Sequence, residues 1–218
     1  QAQASRALGV PVRIGRITGS SQGAIPSFAL HDVVLLDAQG REAVRLPQVL
    51  GTLSPSSLWG LGFEQLVIDR PEVDIRRAAD GKIFVGGLDV SKDTETGDSA
   101  VADWLFSQTE FVVRGGTLRW TDEMRPAPPL ALGQVDAVMR NGRQRHLMRL
   151  DATPPAEWGE RFSLRAIFKQ PLLSRRSGDF LTWSGQVYGE FSRVDVSRVQ
   201  QYAGLEKFGI ALNQGQGA

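Results

Sequence analysis

Residues 162–168 read Phe162-Ser163-Leu164-Arg165-Ala166-Ile167-Phe168, and the phase of that run decides the fold. Phe162, Leu164, Ala166 and Phe168 keep strict period two, with Ser163, Arg165 and Ile167 between them. Trp183, Gly185, Val187, Gly189 and Phe191 follow the same rule. Successive side chains on a strand point to opposite faces, so this pattern marks a sheet buried on one side. It also puts Phe162 and Phe168 on the opposite side from Arg161 and Arg165. An RNA-binding sheet would instead interleave exposed rings with its bases.

Working outward, Val135-Asp136-Ala137-Val138-Met139 alternates and runs into Asn141-Gly142, a hairpin signal. Phe111-Val112-Val113 and Leu118-Arg119-Trp120 are separated by Gly115-Gly116. Upstream lie Leu66-Val67-Ile68, Val73-Asp74-Ile75 and Ile83-Phe84-Val85, with Asp80-Gly81 as a turn between the last two. Val10 to Ile14 alternates as well, and so does the chain from Ala29, until Val33-Val34-Leu35-Leu36 blurs the phase before a turn at Asp37-Ala38-Gln39-Gly40. The 24 glycines and 11 prolines punctuate these segments and do not gather in linkers.

Two segments have helical spacing. Asp98-Ser99 caps a stripe of Val101, Trp104 and Leu105. Asp195 caps a second stripe of Val196, Val199 and Tyr202, which Gly204 ends. Residues 89–97 are polar and read as a loop between two strand-rich halves. The expected class is mostly β, with about eleven or twelve strands and two short helices. A sheet of this size, apolar on one face, folds on itself as a sandwich or barrel, or curls around something apolar.

Composition removes several functions. Of 218 residues, 25 are basic and 24 acidic, without the basic excess of a general nucleic-acid binder. There is no cysteine, so disulfides, thiolate metal sites and cysteine nucleophiles are excluded. His31 and His146 are the two histidines, too few for a histidine-rich metal centre. No run approaches the roughly 20 apolar residues that cross a bilayer as a helix. The chain opens at Gln1 and reads as a processed or excised piece.

No constellation makes a positive case for an enzyme. Gly19-Ser20-Ser21-Gln22-Gly23 matches the nucleophile-elbow pattern, but Pro26 and a strand-like run follow where a helix is required. His31-Asp32 are strand neighbours and face opposite ways. His146 lies among Arg143, Arg145 and Arg149 and reads as part of a basic face. Asp122-Glu123, Asp69/Glu72/Asp74 and Glu157/Glu160 read as solvated turn residues. Charge is uneven, however. Residues 140–176 hold nine bases against three acids, a stretch that either meets phosphate or is an ordinary solvated face.

Two blocks carry a family resemblance. IPSFALHDVVLLDAQGREAVRLP (25–47), LSPSSLWG (53–60) and LVIDRPEVDIRRAADGKIFVGGL (66–88) resemble the amino-terminal periplasmic module of AsmA-like proteins. LRWTDEMRPAPPLALGQVDAVMRNGRQRHLMRLDATPP (118–155), WGERFSLRAIF (158–168) and WSGQVYGEF (183–191) are similar to the YhdP branch of that family. Trp120, Asp122, Glu123, Pro128, Pro129, Leu130, Asn141, His146, Pro154, Pro155, Gly159, Trp183 and Gly185 stand where that branch expects them.

The resemblance implies an elongated, curled antiparallel sheet forming an apolar groove, of the repeating AsmA/chorein-like kind. It implies a first groove unit at 1–90, a polar loop and amphipathic helix at 91–109, a second unit with a terminal helix at 110–205, and a flexible tail at 206–218. Such proteins are long, periplasmic and anchored in the inner membrane of Gram-negative bacteria by an amino-terminal helix. They are bridge-type carriers along which phospholipid tails slide towards the outer membrane. The implied partners are phospholipid acyl chains, the inner membrane, the remaining carboxy-terminal part of the same chain and other envelope proteins. No nucleic acid, cofactor, metal or catalytic residue is implied. Alternation assigns the groove wall to Phe28, Leu30, Ile68, Ile75, Val85, Val113, Trp120, Met139, Leu164, Phe168, Val187 and Phe191. The competing readings are a closed structural or interaction module of the envelope, and a hydrolase built on Ser21 beside His31.

Overall fold

The computed structural model of the chain describes residues 11–22, 25–36, 42–53, 63–89, 108–125, 127–142, 144–172 and 182–195, with residues 5, 40, 106 and 216–217. Its strands are β1 (Val12–Gln22), β2 (Ile25–Leu36), β3 (Glu42–Thr52), β4 (Gln65–Asp69), β5 (Glu72–Arg77), β6 (Ile83–Val85), β7 (Leu88–Asp89), β8 (Glu110–Asp122), β9 (Leu130–Asn141), β10 (Arg145–Thr153), β11 (Phe162–Lys169), β12 (Ser184–Phe191), β13 (Val194–Asp195) and β14 (Gln216–Gly217). The protein is mostly β, and twelve of these strands form one sheet.

β1, β2, β3 and β4 follow one another as antiparallel neighbours, and so do β8 to β12. The expectation of a wholly antiparallel sheet needs one amendment. β4 and β5 both lie parallel to β8, and this seam joins the first block to the second. A parallel pairing requires a crossover, and residues 78–109 lie between β5 and β8 in the sequence. The two blocks therefore share one sheet. Asp80-Gly81 makes the expected turn between β5 and β6, with Gly81 at φ 86°. Asn141-Gly142 closes β9 onto β10, the Gly142 amide donating to the Arg145 carbonyl at 2.9 Å.

The helices expected at 98–105 and 195–204 fall outside the described residues, apart from Asp195. That residue ends β13 and pairs with Gln216 of β14, so Gln216 and Gly217, in the tail expected to be flexible, belong to a short ladder.

β4 and β5 are one strand interrupted at Arg70-Pro71. Asp69 lies beside Arg114 and Glu72 beside Thr117, in unbroken register. The Arg70 amide donates to the Arg114 carbonyl at 2.7 Å, and the Thr117 amide to the Pro71 carbonyl at 2.8 Å. Arg70 has φ 47° and Gly115, next to it on β8, has φ 59°. Two more left-handed residues continue this line on other strands, Asp32 at φ 53° on β2 and Gln134 at φ 47° on β9. The register sets Asp32 level with Pro47 of β3, and Pro47 level with Arg70. β9 shifts register against β8 and β10 beside Gln134. A crease of bulges thus crosses the sheet from β2 to β9.

The crease changes the parity of each strand it crosses. Leu30 and Val33 pack in the same apolar cluster, as do Val44 and Val49, although each pair is separated by an odd number of residues. Leu66, Ile68, Val12, Leu35 and Leu88 complete the centre of that cluster. The opposite face is also covered between β2 and β8, where Val34, Leu36, Val67 and Val112 are buried. That explains the Val33–Leu36 run. All four of its side chains are buried, so no phase survives in the sequence.

Candidate functional site

Residues paired across a sheet share a face. One row reads Phe28, Gly51, Leu66, Phe111, Met139, Met148, Ala166, Val187. The next reads Leu30, Val49, Ile68, Val113, Ala137, Leu150, Leu164, Gly189. Beyond the crease, Ile75 pairs with Val85 on one side and Trp120 on the other. A Cβ added to Gly116 would sit 3.1 Å from Val113 Cγ1 and 3.2 Å from Pro71 Cγ, so the face continues through the crease. Phe168 and Phe191 flank the two long rows on β11 and β12, opposite Gly185 and Phe162. The register therefore places all twelve candidate residues on one face.

Several rows end on a ring laid across a glycine. A Cβ on Gly51 would meet the Phe28 ring at 2.5 Å, and one on Gly185 would meet Phe168 Cδ1 at 2.6 Å. Phe28 also meets Phe63 edge to face, with centroids 5.4 Å apart. The aromatics thus lie low over the sheet.

Coverage of the face is uneven. Leu66 is 3% exposed, whereas Val187 is 61% and Phe191 44% exposed. The face is closed around β2 to β4 and again at Ala166 of β11, 3% exposed, and it is uncovered on the edge strand β12, where both faces are exposed. Alternation missed Val49, Leu66, Phe111, Met148 and Leu150, which stand in the same rows. Met148 was hidden because Leu147, on the other face, is apolar too.

His146 departs from its expected place. It is 1% exposed and lies on the apolar face, while Arg145 and Arg149 face the other way. Its ring stacks on Trp183 at 3.8 Å with an interplanar angle of 7°. Nδ1 is 2.8 Å from Asn141 Oδ1, and Nε2 is 3.4 Å from Gln170 Oε1. Asn141 Nδ2 donates to the Gln108 carbonyl at 2.8 Å, which fixes the amide and leaves Nδ1 as the protonated nitrogen. Gln108 Oε1 in turn accepts the Phe63 amide at 2.7 Å. Burial pushes the His146 pKa down, and the Gln170 contact partly opposes this. The network ties the starts of β4, β8 and β10 to the ends of β9 and β11. A histidine that is stacked, hydrogen-bonded and buried is structural; its parity, in step with Met148 and Leu150 and out of step with Arg145 and Arg149, was the signal that could have found it.

Other polar groups have ion-pair roles. Glu110 is held below the usual carboxylate range first by Gln65 Nε2 at 2.6 Å, then by Arg140. Asp122 is buried between Arg77 and Arg125, each 3.6 Å from Oδ2, while its Oδ1 accepts the Met124 amide at 3.0 Å. Ser21 pairs with Pro26 in the β1–β2 ladder, but His31 pairs with Arg16, about 16 Å further along β2. The strand geometry thus separates the two residues the hydrolase reading needs. Among the described residues no group of three or more histidines or carboxylates is placed to hold a metal, and no helix is long and apolar enough to cross a membrane.

The class these observations define is a broad mixed sheet with an apolar face running from β1 to β12. The YhdP protein family model matches residues 1–218, and the chain belongs to that family. No curated protein and no solved structure matches it.

Proposed function

We propose that the chain is a segment of a periplasm-spanning, inner-membrane-anchored carrier that moves phospholipids between the inner and outer membranes, and so supports the outer-membrane barrier. Membership of the YhdP family supports the envelope lipid-transport role. The observation that carries the reading is the apolar face, unbroken across the crease and uncovered on the edge strand β12.

Each methylene of an acyl chain gains about 0.8 kcal/mol on leaving water. A floor of Leu, Val, Met and low-lying Phe supplies that gain without directional bonds, so a tail slides instead of being held. Headgroups stay in solvent at the open side. The role needs no catalytic residue, and the chain acts without one.

Native mass spectrometry with lipid extraction on the gently purified chain tests this. Phospholipid in defined stoichiometry, lost in Leu164→Asp or Phe168→Asp, supports it. A lipid-free chain with one cooperative unfolding transition supports instead a closed structural module. The buried cluster around Leu66 favours that second reading for the first half of the sheet.

A further inference from the structure

The face of β10–β12 turned away from the apolar wall has its own pattern. Arg145 stands directly opposite Lys169, Leu147 opposite Ile167, and Arg149 opposite Arg165. Like charges directly opposite one another destabilise a ladder, so two such pairs are not there for the sheet's own stability. Among the described residues Arg145, Lys169 and Arg165 have no acidic partner, whereas Arg149 binds Asp151 at 2.8 Å. Between the cationic pairs, Leu147 and Ile167 are 39% and 40% exposed, and Tyr188, beside Arg165 on β12, is 64% exposed.

We propose that this outer face docks on an anionic phospholipid surface. Arg145 and Arg149 are about 13 Å apart along the strand. Cations at that spacing meet phosphates on either side, while the aliphatic pair between them reaches past the headgroups and the Tyr188 phenol lies at their level. The next row, Asp151, Ser163 and Glu190, is acidic and bounds the patch. A folded acidic partner large enough for a stable interface would overlap that row and be repelled. Mobile lipids sort to the cations and avoid it. The proposal concerns the opposite face from the acyl-chain wall and stands independently of it.

Sedimentation of the purified chain with vesicles is the test. Phosphatidylcholine vesicles containing phosphatidylglycerol should carry the chain down, and added salt should release it. Arg145→Glu with Lys169→Glu should weaken this binding more than about tenfold, since each cation near such a surface contributes about fivefold. Leu147→Ser with Ile167→Ser should weaken it while keeping the salt dependence. All four sites are exposed, and an unchanged circular dichroism spectrum shows that each variant is folded. Equal binding to pure phosphatidylcholine, or full binding by the charge-reversed variant, overturns the proposal. So does capture by immobilised polyglutamate without vesicle binding, which assigns the patch to an acidic polypeptide.

Discussion

Arg70 and Gly115 sit side by side on parallel strands with left-handed backbones, φ 47° and 59°. The left-handed conformation strains a non-glycine residue, by about 1–2 kcal/mol. That only one of the two is glycine makes the crease testable. A Cβ at Gly115 would meet Arg70 Cγ at 3.6 Å, an ordinary contact, so space is not the obstacle. Gly115→Ala should therefore lose about 1 kcal/mol through the backbone alone, read by urea unfolding. Arg70→Gly should be neutral or slightly stabilising, because relieved strain offsets added chain entropy. Equal losses for both variants would mean that side-chain packing, not φ, sets the crease.

A second prediction concerns the glycines under the rings. Gly51 has ordinary backbone angles, yet its added methyl would overlap three Phe28 ring atoms at 2.5–3.2 Å. Gly51→Ala should push Phe28 off the sheet and away from Phe63, costing about 1–3 kcal/mol as overpacking. Phe28→Leu should relieve most of that loss in the double variant, which a thermal-unfolding cycle measures. Additive losses would show that the ring does not depend on the bare backbone.

The strands were legible because polar residues mark one face of β9, β11 and β12. Two things were not. The crease reverses parity at Asp32, Arg70 and Gln134, and of these only Asp is a residue type that often adopts a left-handed conformation. Alternation still found residues on one face because each strand segment was phased separately, on its own side of the crease. Nor was the parallel seam readable. β4 pairs with β8 across forty-odd intervening residues, and a local pattern carries no information about a partner that far along the chain. His146 failed for a third reason. Its neighbours Arg145 and Arg149 are on the other face, and charge counted along the sequence ignores which way a strand turns its side chains.

Asp122 should tolerate Asn better than Ala. The Asn side chain keeps an oxygen for the Met124 amide, now 3.0 Å from Oδ1, but loses the attraction of Arg77 and Arg125 and turns its amide N–H donors towards them. Asp122→Ala leaves that amide without its partner and the two guanidinium groups facing each other, for a loss of about 1.5–3 kcal/mol. Chemical denaturation of both variants at neutral pH separates the two contributions. Equal losses would assign the whole effect to charge.

His146 gives the chain an acid sensitivity that begins before its carboxylates respond. Its folded pKa lies below the unfolded value of 6.5, because burial disfavours the imidazolium. As pH falls through 6.5, the unfolded chain takes up the proton first, so stability drops with falling pH until the folded pKa is passed. Glu110 and Asp151 act in the same direction but lower, because their unfolded values are 4.5 and 3.8 and their folded values lie beneath these. Between about pH 6.5 and pH 5 the His146 contribution is therefore separable from theirs. Protonation would also place N–H donors on both ring nitrogens, with Gln170 Oε1, 3.4 Å from Nε2, accepting the second. His146→Gln should be less stable at neutral pH, through loss of the Trp183 stack, and flatter across that window. Unfolding free energies of both proteins at several pH values decide the matter. Parallel curves would mean that His146 takes up its proton at the same pH in the folded and the unfolded chain, so that burial does not disfavour the imidazolium.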